Sequence, residues 1–373
     1  MKELSIDILV SGYGGKLADL TRKILDHQRI SLEEGLVLFN EADLSLTLSL
    51  ANHIRTRKNQ QIAWYNRNIH VEPTNLCVRQ CKFCSYYRKE GEEGAWNLSA
   101  DEIIARIAEH PDITEVHITG GLHPDKNLDW YCKLVARIRN QFPQLHIKAL
   151  TAEELDYLFR KARVLPEAGL QQLKAAGLGS LPGGGAEIFH PVIREQVCPE
   201  KITGKQWLDM HELAHKAGIF SNATMLFGHI EKPVHRLDHM LHLRELQDRT
   251  GGFNAFIPLM YRSSHNELSS RGETGFTDVM RTYAVARIFL DNFTHIKAYW
   301  PMLGKEKASL LLSFGADDLD GTIHDSTRIY SMAGAEEKSP HMDSHQIRDL
   351  ILQSGFQPVE RNSLYQALHE KPE

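Results

Sequence analysis

From about residue 68, short β-rich runs alternate with amphipathic helical stretches, and this alternation constrains the fold more than any other feature of the chain. The runs are "RNIHVEP", "EVHITGG", "LHIKALT", "LGSLPGG", "IFSNATMLFG", "FNAFIPLM" and "IKAYWPML", with a weaker eighth near "FGADDLDG". Three of the helices between them open with S/T-x-x-E/Q, at Ser99/Glu102, Thr151/Glu154 and Thr203/Gln206. In that pattern the hydroxyl and the acidic or amide side chain satisfy each other's backbone N–H groups. Strand–helix units repeated this often favour a closed barrel over an open doubly wound sheet. The expected class is α/β, a (β/α)8 TIM-type barrel with helical N- and C-terminal extensions. Residues 1–60 form the first extension, 61–325 the barrel and 326–373 the second, packing on the barrel. Residues 15–58 read as helical, with a further capping box at Ser31/Glu34 in "SLEEGLVLF". The tail reads as a loop and a closing helix.

A barrel places its chemistry on the loops that follow the strands. Cys77 comes a few residues after the first run and "TGGLHP" directly follows the second, so both are expected at one mouth. Of the five cysteines in 373 residues, three fall between 77 and 84. An odd, clustered set argues for metal chemistry in a reducing cytoplasm rather than disulfides, leaving Cys132 and Cys198 as incidental thiols. A net charge of −5 with both signs interspersed gives no basic stripe for nucleic acid. No 18-residue apolar window offers a membrane span, and the N-terminus lacks a signal peptide's apolar region. "SGYGGKL" is not a phosphate loop, because Val10 and Leu17 stand where a glycine and a hydroxyl are needed.

The thiol spacing in "HVEPTNLCVRQCKFCSYYRK" is C-x3-C-x2-C. Cys77, Cys81 and Cys84 can hold three irons of a [4Fe–4S] cluster and leave the fourth iron open, whereas structural zinc asks for four closed ligands. The alternative is a zinc knuckle completed by a distant residue, such as one of the 20 histidines. With Phe83 as the aromatic before the third cysteine, the stretch resembles the motif of the radical S-adenosylmethionine superfamily. That resemblance implies a [4Fe–4S] cluster whose open iron is chelated by S-adenosylmethionine. It also implies an electron donor such as a flavodoxin or ferredoxin.

Thr119, Gly120 and Gly121 sit where the superfamily carries a GGE-like motif for the methionyl amine, with Leu122 in place of the Glu. Backbone carbonyls can accept from an ammonium without that side chain; the other reading is a tight strand-to-helix turn. In "SLPGGGAEIF", Glu187 is either an acceptor for the ribose hydroxyls of the adenosyl group or an exposed loop carboxylate. "HELAH" at 211–215 matches H-E-x-x-H and, taken alone, would make a zinc metalloprotease. It reads instead as an ordinary barrel helix with a wet outer face, away from the strand ends. "HMDSH" at 341–345 lacks the Glu and reads as surface.

Over nearly the whole chain, "TGGLHPD", "HIKALTAEE", "LPGGGAEIF", "CPEKIT", "NATMLFGHIE" and "VERNSLY" are similar to the aminofutalosine synthase family of the futalosine route to menaquinone. Dehypoxanthine futalosine cyclases and FO synthase subunits are the runner-up families. "PLMYRSSHN" at 258–266 departs from the His-Pro-x-Asn type sequence expected there. The resemblance implies that the adenosyl radical of S-adenosylmethionine, a co-substrate, adds to 3-[(1-carboxyvinyl)oxy]benzoate. Aryl migration and loss of carboxylate then give 6-amino-6-deoxyfutalosine, methionine and bicarbonate or carbon dioxide. A dianionic substrate needs cationic or donor-rich partners at the mouth. The candidates are His123, Asn222, Thr224, His229, Arg262 and Lys297. "GADDLDGT" either supplies a carboxylate to the site or, the favoured reading, caps the last helix.

Overall fold

The computed structural model describes residues 12–323, 328–336, 338 and 340–368. The readings of residues 1–11, Val10 among them, and of the boundary at 325/326 lie outside the described residues. Among the described residues there are ten strands: β1 (Ile62–Asn66), β2 (Asn68–Val71), β3 (Glu115–Ile118), β4 (His146–Ala149), β5 (Ser180–Leu181), β6 (Phe220–Phe227), β7 (Phe253–Met260), β8 (His295–Ile296), β9 (Asp318–Gly321) and β10 (Gln357–Glu360). β2 to β8 form one parallel sheet in sequence order, and β10-β1-β9 form a second. β9 closes the ring between them. Its segment bonds to β8 through Asp317 N–H to the Ile296 carbonyl at 2.9 Å, and Ile323 N–H reaches the Asn68 carbonyl of β2 at 3.0 Å. All eight expected runs are strands of this wall, and "FGADDLDG" is a strand rather than a helix cap.

Helices cross over between the strands, and each expected capping box is formed, at Ser31/Glu34, Ser99/Glu102, Thr151/Glu154 and Thr203/Gln206. Each such cap contributes about 0.5–2 kcal/mol. The helices Leu32–Asn40 and Leu44–Asn59 pack on the helices Pro233–Thr250 and Phe276–Phe289, and Gly15–Leu25 packs on Leu44–Asn59. β1 and β10 were not anticipated. β1 is separated from β2 by Arg67 alone, and the first run read from the sequence, "RNIHVEP", covers β2 only. β10 carries Pro358, which is tolerated because β10 is an edge strand.

The wall is apolar outside and polar inside. Ile69, Val116, Ile147, Ile296 and Leu319 are buried at 0–1% exposure in the core under the helices. Their neighbours in sequence, His70, Glu115, His117, Lys148, Lys297 and Asp320, face the interior, as the two-residue period of a strand dictates. The N-terminal end of the barrel is sealed by charge pairs. Arg361 meets Asp318, Arg287 meets Asp317, and all four side chains have no exposure. Tyr365 stacks on His295 with ring centroids 3.8 Å apart. "VERNSLY" therefore closes the base, at the end opposite the cysteines.

Candidate active site

At the C-terminal ends of the strands lies a cavity of about 290 Å³. Cys77, Cys81, Cys84, Phe83, Thr119, Gly120, Gly121, Glu187, Asn222, Thr224, Arg262 and Lys297 all line it. The cysteine loop owes its shape to its neighbours. Gly121 lies so close that a Cβ there would stand 2.3 Å from the Leu76 carbonyl oxygen, and one on Gly120 would stand 2.7 Å from that of Thr74. The glycine pair thus lets β3's turn press against the loop, and Val78 N–H donates to the Leu122 carbonyl at 3.1 Å. On the other side the "CPEKI" stretch holds the loop. Lys82 N–H donates to Val197 at 2.9 Å, Gln80 N–H to Glu200 at 2.9 Å, and Arg79 pairs with Glu153 at 2.9 Å, whose carboxylate also takes the Ile202 N–H at 2.8 Å.

All five cysteines are free thiols. Burial pushes the Cys77 and Cys81 thiols up, and at Cys81 the Lys201 ammonium opposes it. Lys201 binds Glu187 at 2.6 Å and lies 5.3 Å from the centre of the Phe83 ring. Glu187 is thereby a buried, paired carboxylate rather than an exposed one, held with φ at +48°. Cys198 packs against Cys81, and burial raises its thiol to about 11; Cys132 sits on the helix Leu128–Gln141 and does not line the cavity.

The floor joins the candidate Lys297 and Asp320 of "GADDLDGT" to four residues that were not singled out from the sequence, His70, Glu115, His117 and Lys148. Glu115 and Lys148 pair at 2.7 Å, and Asp320 pairs with Lys297 and faces His70 at 3.7 Å. His70 lies 3.3 Å from His117 Nδ1 and 3.3 Å from the Tyr299 hydroxyl. Burial would raise the carboxyls, but Lys148 holds Glu115 below its usual range and Lys297 with His70 does the same for Asp320. Burial, reinforced by His70, keeps His117 neutral. The lining is apolar at the ends of β6 and β7, with Leu226, Ile257, Leu259 and Met260.

Two candidates fall outside this wall. His123 is buried behind the glycine turn, its Nδ1 accepting from Asp125 N–H at 2.9 Å. His229 Nδ1 accepts from Ile230 N–H at 2.8 Å, and its ring abuts Glu231 at 3.2 Å, so it shapes its own turn. Thr224 lines the cavity, but its hydroxyl donates to the Gly183 carbonyl at 2.5 Å. Nor does "HELAH" form a zinc site. His211 and His215 both turn inward to the Ser221 hydroxyl at 2.8 Å, not to a wet face, while Glu212 points away to Lys216 and Arg249. Among the described residues no three His, Cys, Asp or Glu side chains converge on one metal ion. A four-iron cluster spreads its thiolates over separate irons, so three free thiols on one cavity edge suit that group.

The radical SAM superfamily model matches residues 71–243, and the CofH/MqnC C-terminal region matches 250–373. Aminodeoxyfutalosine synthase of Thermus thermophilus is 42% identical, over 94% of this chain and 95% of that protein. The chain belongs to the aminodeoxyfutalosine synthase family of radical SAM enzymes. Another member, from Streptomyces coelicolor, is 38% identical over 95% of both chains. The cyclic dehypoxanthine futalosine synthase of that organism is also 38% identical, over 92% of this chain and 87% of its own. In fold the chain resembles the FeFe-hydrogenase maturase HydG of Carboxydothermus hydrogenoformans, with a TM-score of 0.74, 17% identity, and coverage of 96% of this chain and 83% of that one. Like the rest of the superfamily, this aminodeoxyfutalosine synthase family member uses a [4Fe–4S] cluster and S-adenosylmethionine. None of its described helices is long and apolar enough to cross a membrane.

Proposed function

We propose that this enzyme joins the adenosyl group of S-adenosylmethionine to 3-[(1-carboxyvinyl)oxy]benzoate. The products are 6-amino-6-deoxyfutalosine, methionine, and the enol-ether carboxylate as bicarbonate or carbon dioxide, a step toward menaquinone. The observation that carries this reading is one cavity lined by three free thiols, an apolar patch from β6 and β7 and a set of buried charge pairs. The 42% identity to a synthase supports it. Cys77, Cys81 and Cys84 hold the cluster, which when bound supplies the electron that cleaves the carbon–sulfur bond of S-adenosylmethionine. The electron donor is a flavodoxin or ferredoxin and the setting cytoplasmic, in keeping with five free cysteines.

The chain's own residues bind and orient. Lys201 fixes the Glu187 carboxylate for the ribose hydroxyls, and the glycines at 183–185 let backbone approach the adenosyl group. Leu226, Ile257, Leu259 and Met260 receive the aryl ring and exclude water. Lys148 and Lys297 already share carboxylates, so the floor is close to neutral. Arg262 pairs with Glu273 at 3.3 Å and retains an Nε without a protein partner, which suits it to a substrate carboxylate. Holding alkene and adenosyl carbon in contact is what makes addition outrun quenching.

The test is the fate of the adenosyl group. With the ribose labelled, the label is expected in a nucleoside carrying the benzoate ring, with methionine released. Label recovered as 5′-deoxyadenosine while dehypoxanthine futalosine is consumed would assign the chain to the cyclic synthase instead.

A further inference from the structure

His70, His117 and Lys148 occupy paired positions of β2, β3 and β4, so their side chains stand side by side on the inner face of the wall. The protons along this row follow from its neighbours. Asp320 Oδ2 faces His70 Nε2 at 3.7 Å, and a carboxylate there favours an N–H over a lone pair. His70 Nε2–H then donates to His117 Nδ1 at 3.3 Å, while His70 Nδ1 accepts from the Tyr299 hydroxyl at 3.3 Å. His117 is neutral, so with Nδ1 accepting, its one proton lies on Nε2. That N–H is buried at the cavity wall, and among the described residues it meets no acceptor. Lys148 beside it also has donors to spare, since among the described residues only Glu115 accepts from its ammonium, at 2.7 Å.

A buried donor without an acceptor is costly, and two donors on adjacent strands match the two oxygens of a carboxylate. Glu115 already offsets the Lys148 charge, so such a ligand is held by hydrogen bonds more than by net charge. The substrate has two carboxylates, and their places differ. The enol-ether carboxylate adjoins the alkene that must meet the adenosyl carbon at the mouth, where Arg262 follows the end of β7. The benzoate carboxylate lies on the far side of the ring. His117 and Lys148 are within β3 and β4, below the loops that carry the thiols and the glycine turn. We propose that His117 Nε2–H and the Lys148 ammonium bind the benzoate carboxylate of the substrate, with His70 and Tyr299 as positioning residues that hold the His117 tautomer. This rests on the substrate reading given above.

Removing Lys148 would strand Glu115 as an unpaired buried charge, so the variants are made at His117. His117→Met removes the donor, and His117→Gln keeps an N–H at nearly the same reach. Equilibrium binding of 3-[(1-carboxyvinyl)oxy]benzoate is compared with that of 2-phenoxyacrylate, the same molecule without the ring carboxylate, on anaerobically reconstituted protein. The unmodified protein should prefer the dicarboxylate. In His117→Met its affinity should fall about 10- to 100-fold, the range for a hydrogen bond to a charged group. Affinity for 2-phenoxyacrylate should stay as it was, which also shows that the variant is folded. His117→Gln should keep most of the preference. A His117→Met protein that keeps the full preference, or weakens both ligands alike, would overturn the proposal. So would a His117→Gln protein as impaired as His117→Met, because ring shape rather than the N–H would then be at work. Equal binding of the two ligands by the unmodified protein overturns it without a variant. If that protein binds neither ligand, the substrate reading itself falls, and this assignment with it.

Discussion

Both ends of the barrel are built on buried charge, and they use it differently. At the base, Arg361 faces Asp318 and Arg287 faces Asp317, each side chain with no exposure and each charge met by its opposite. At the mouth, three free thiols and five carboxylates share one cavity, and among the described residues no cation pairs with Glu154. Charge closed upon itself holds the fold, whereas charge left incomplete awaits a ligand. The two ends should therefore fail in different ways when they are altered.

The largest effect is expected at the mouth and on activity alone. Cys84→Ala should abolish turnover and cluster absorbance, yet leave the urea midpoint of the iron-free protein nearly unchanged, because the side chain is only half-buried. At the base, Arg361→Met should leave Asp318 as an unpaired buried charge and cost about 3–5 kcal/mol in urea unfolding. Adding Asp318→Asn should recover much of that loss. If the single change proved neutral, the base pairs would not be holding the barrel shut.

A third expectation concerns pH and lies between the two ends. His239 Nε2 bonds the Thr224 carbonyl at 2.9 Å, and Nδ1 accepts from Phe189 N–H at 3.2 Å, so the ring is held neutral. Burial lowers it to about 3. Below its unfolded value of about 6.5 the unfolded chain binds the proton and the folded chain does not. Stability should thus fall as pH drops from about 6.5 towards 3, by about 1.4 kcal/mol per unit for this one ring. Urea unfolding at pH 7 and pH 5 should show a smaller loss in His239→Gln than in the unmodified protein. The smallest effect belongs to Glu212→Gln, where a general base would cost about 10²-fold in rate. Turnover should stay within twofold, since Glu212 points to Lys216 and Arg249 outside the barrel.

The barrel was legible because its signals are local. Capping boxes and β-rich runs announce themselves within a few residues, and all eight wall strands lie on runs read from the sequence. β1 and β10 escaped because Arg67 alone divides β1 from β2, and because Pro358 argues against a strand unless that strand is an edge. At the mouth, the cysteines and glycines were visible as clusters. Of the floor only Lys297 and the "GADDLDGT" carboxylates were in view, although the signal for the rest was present in the alternation. Asn68 and His70, Glu115 and His117, His146 and Lys148, His295 and Lys297, and Asp318 and Asp320 are each two residues apart with an apolar residue between. Strand periodicity alone puts such pairs on one face, and five strands repeating it make a polar interior. What no local signal carries is pairing across strands. That is why Lys297 looked like a free cation before Asp320 was found beside it.

The cluster proposed on Cys77, Cys81 and Cys84 at the mouth is checked by iron analysis. Protein reconstituted anaerobically should contain about four irons per chain, as that cluster type requires. The content should be kept in Cys132→Ala and Cys198→Ala and lost in Cys77→Ala, Cys81→Ala and Cys84→Ala. One tightly held zinc with no iron uptake, or a cluster that survives loss of any of the three, would contradict it.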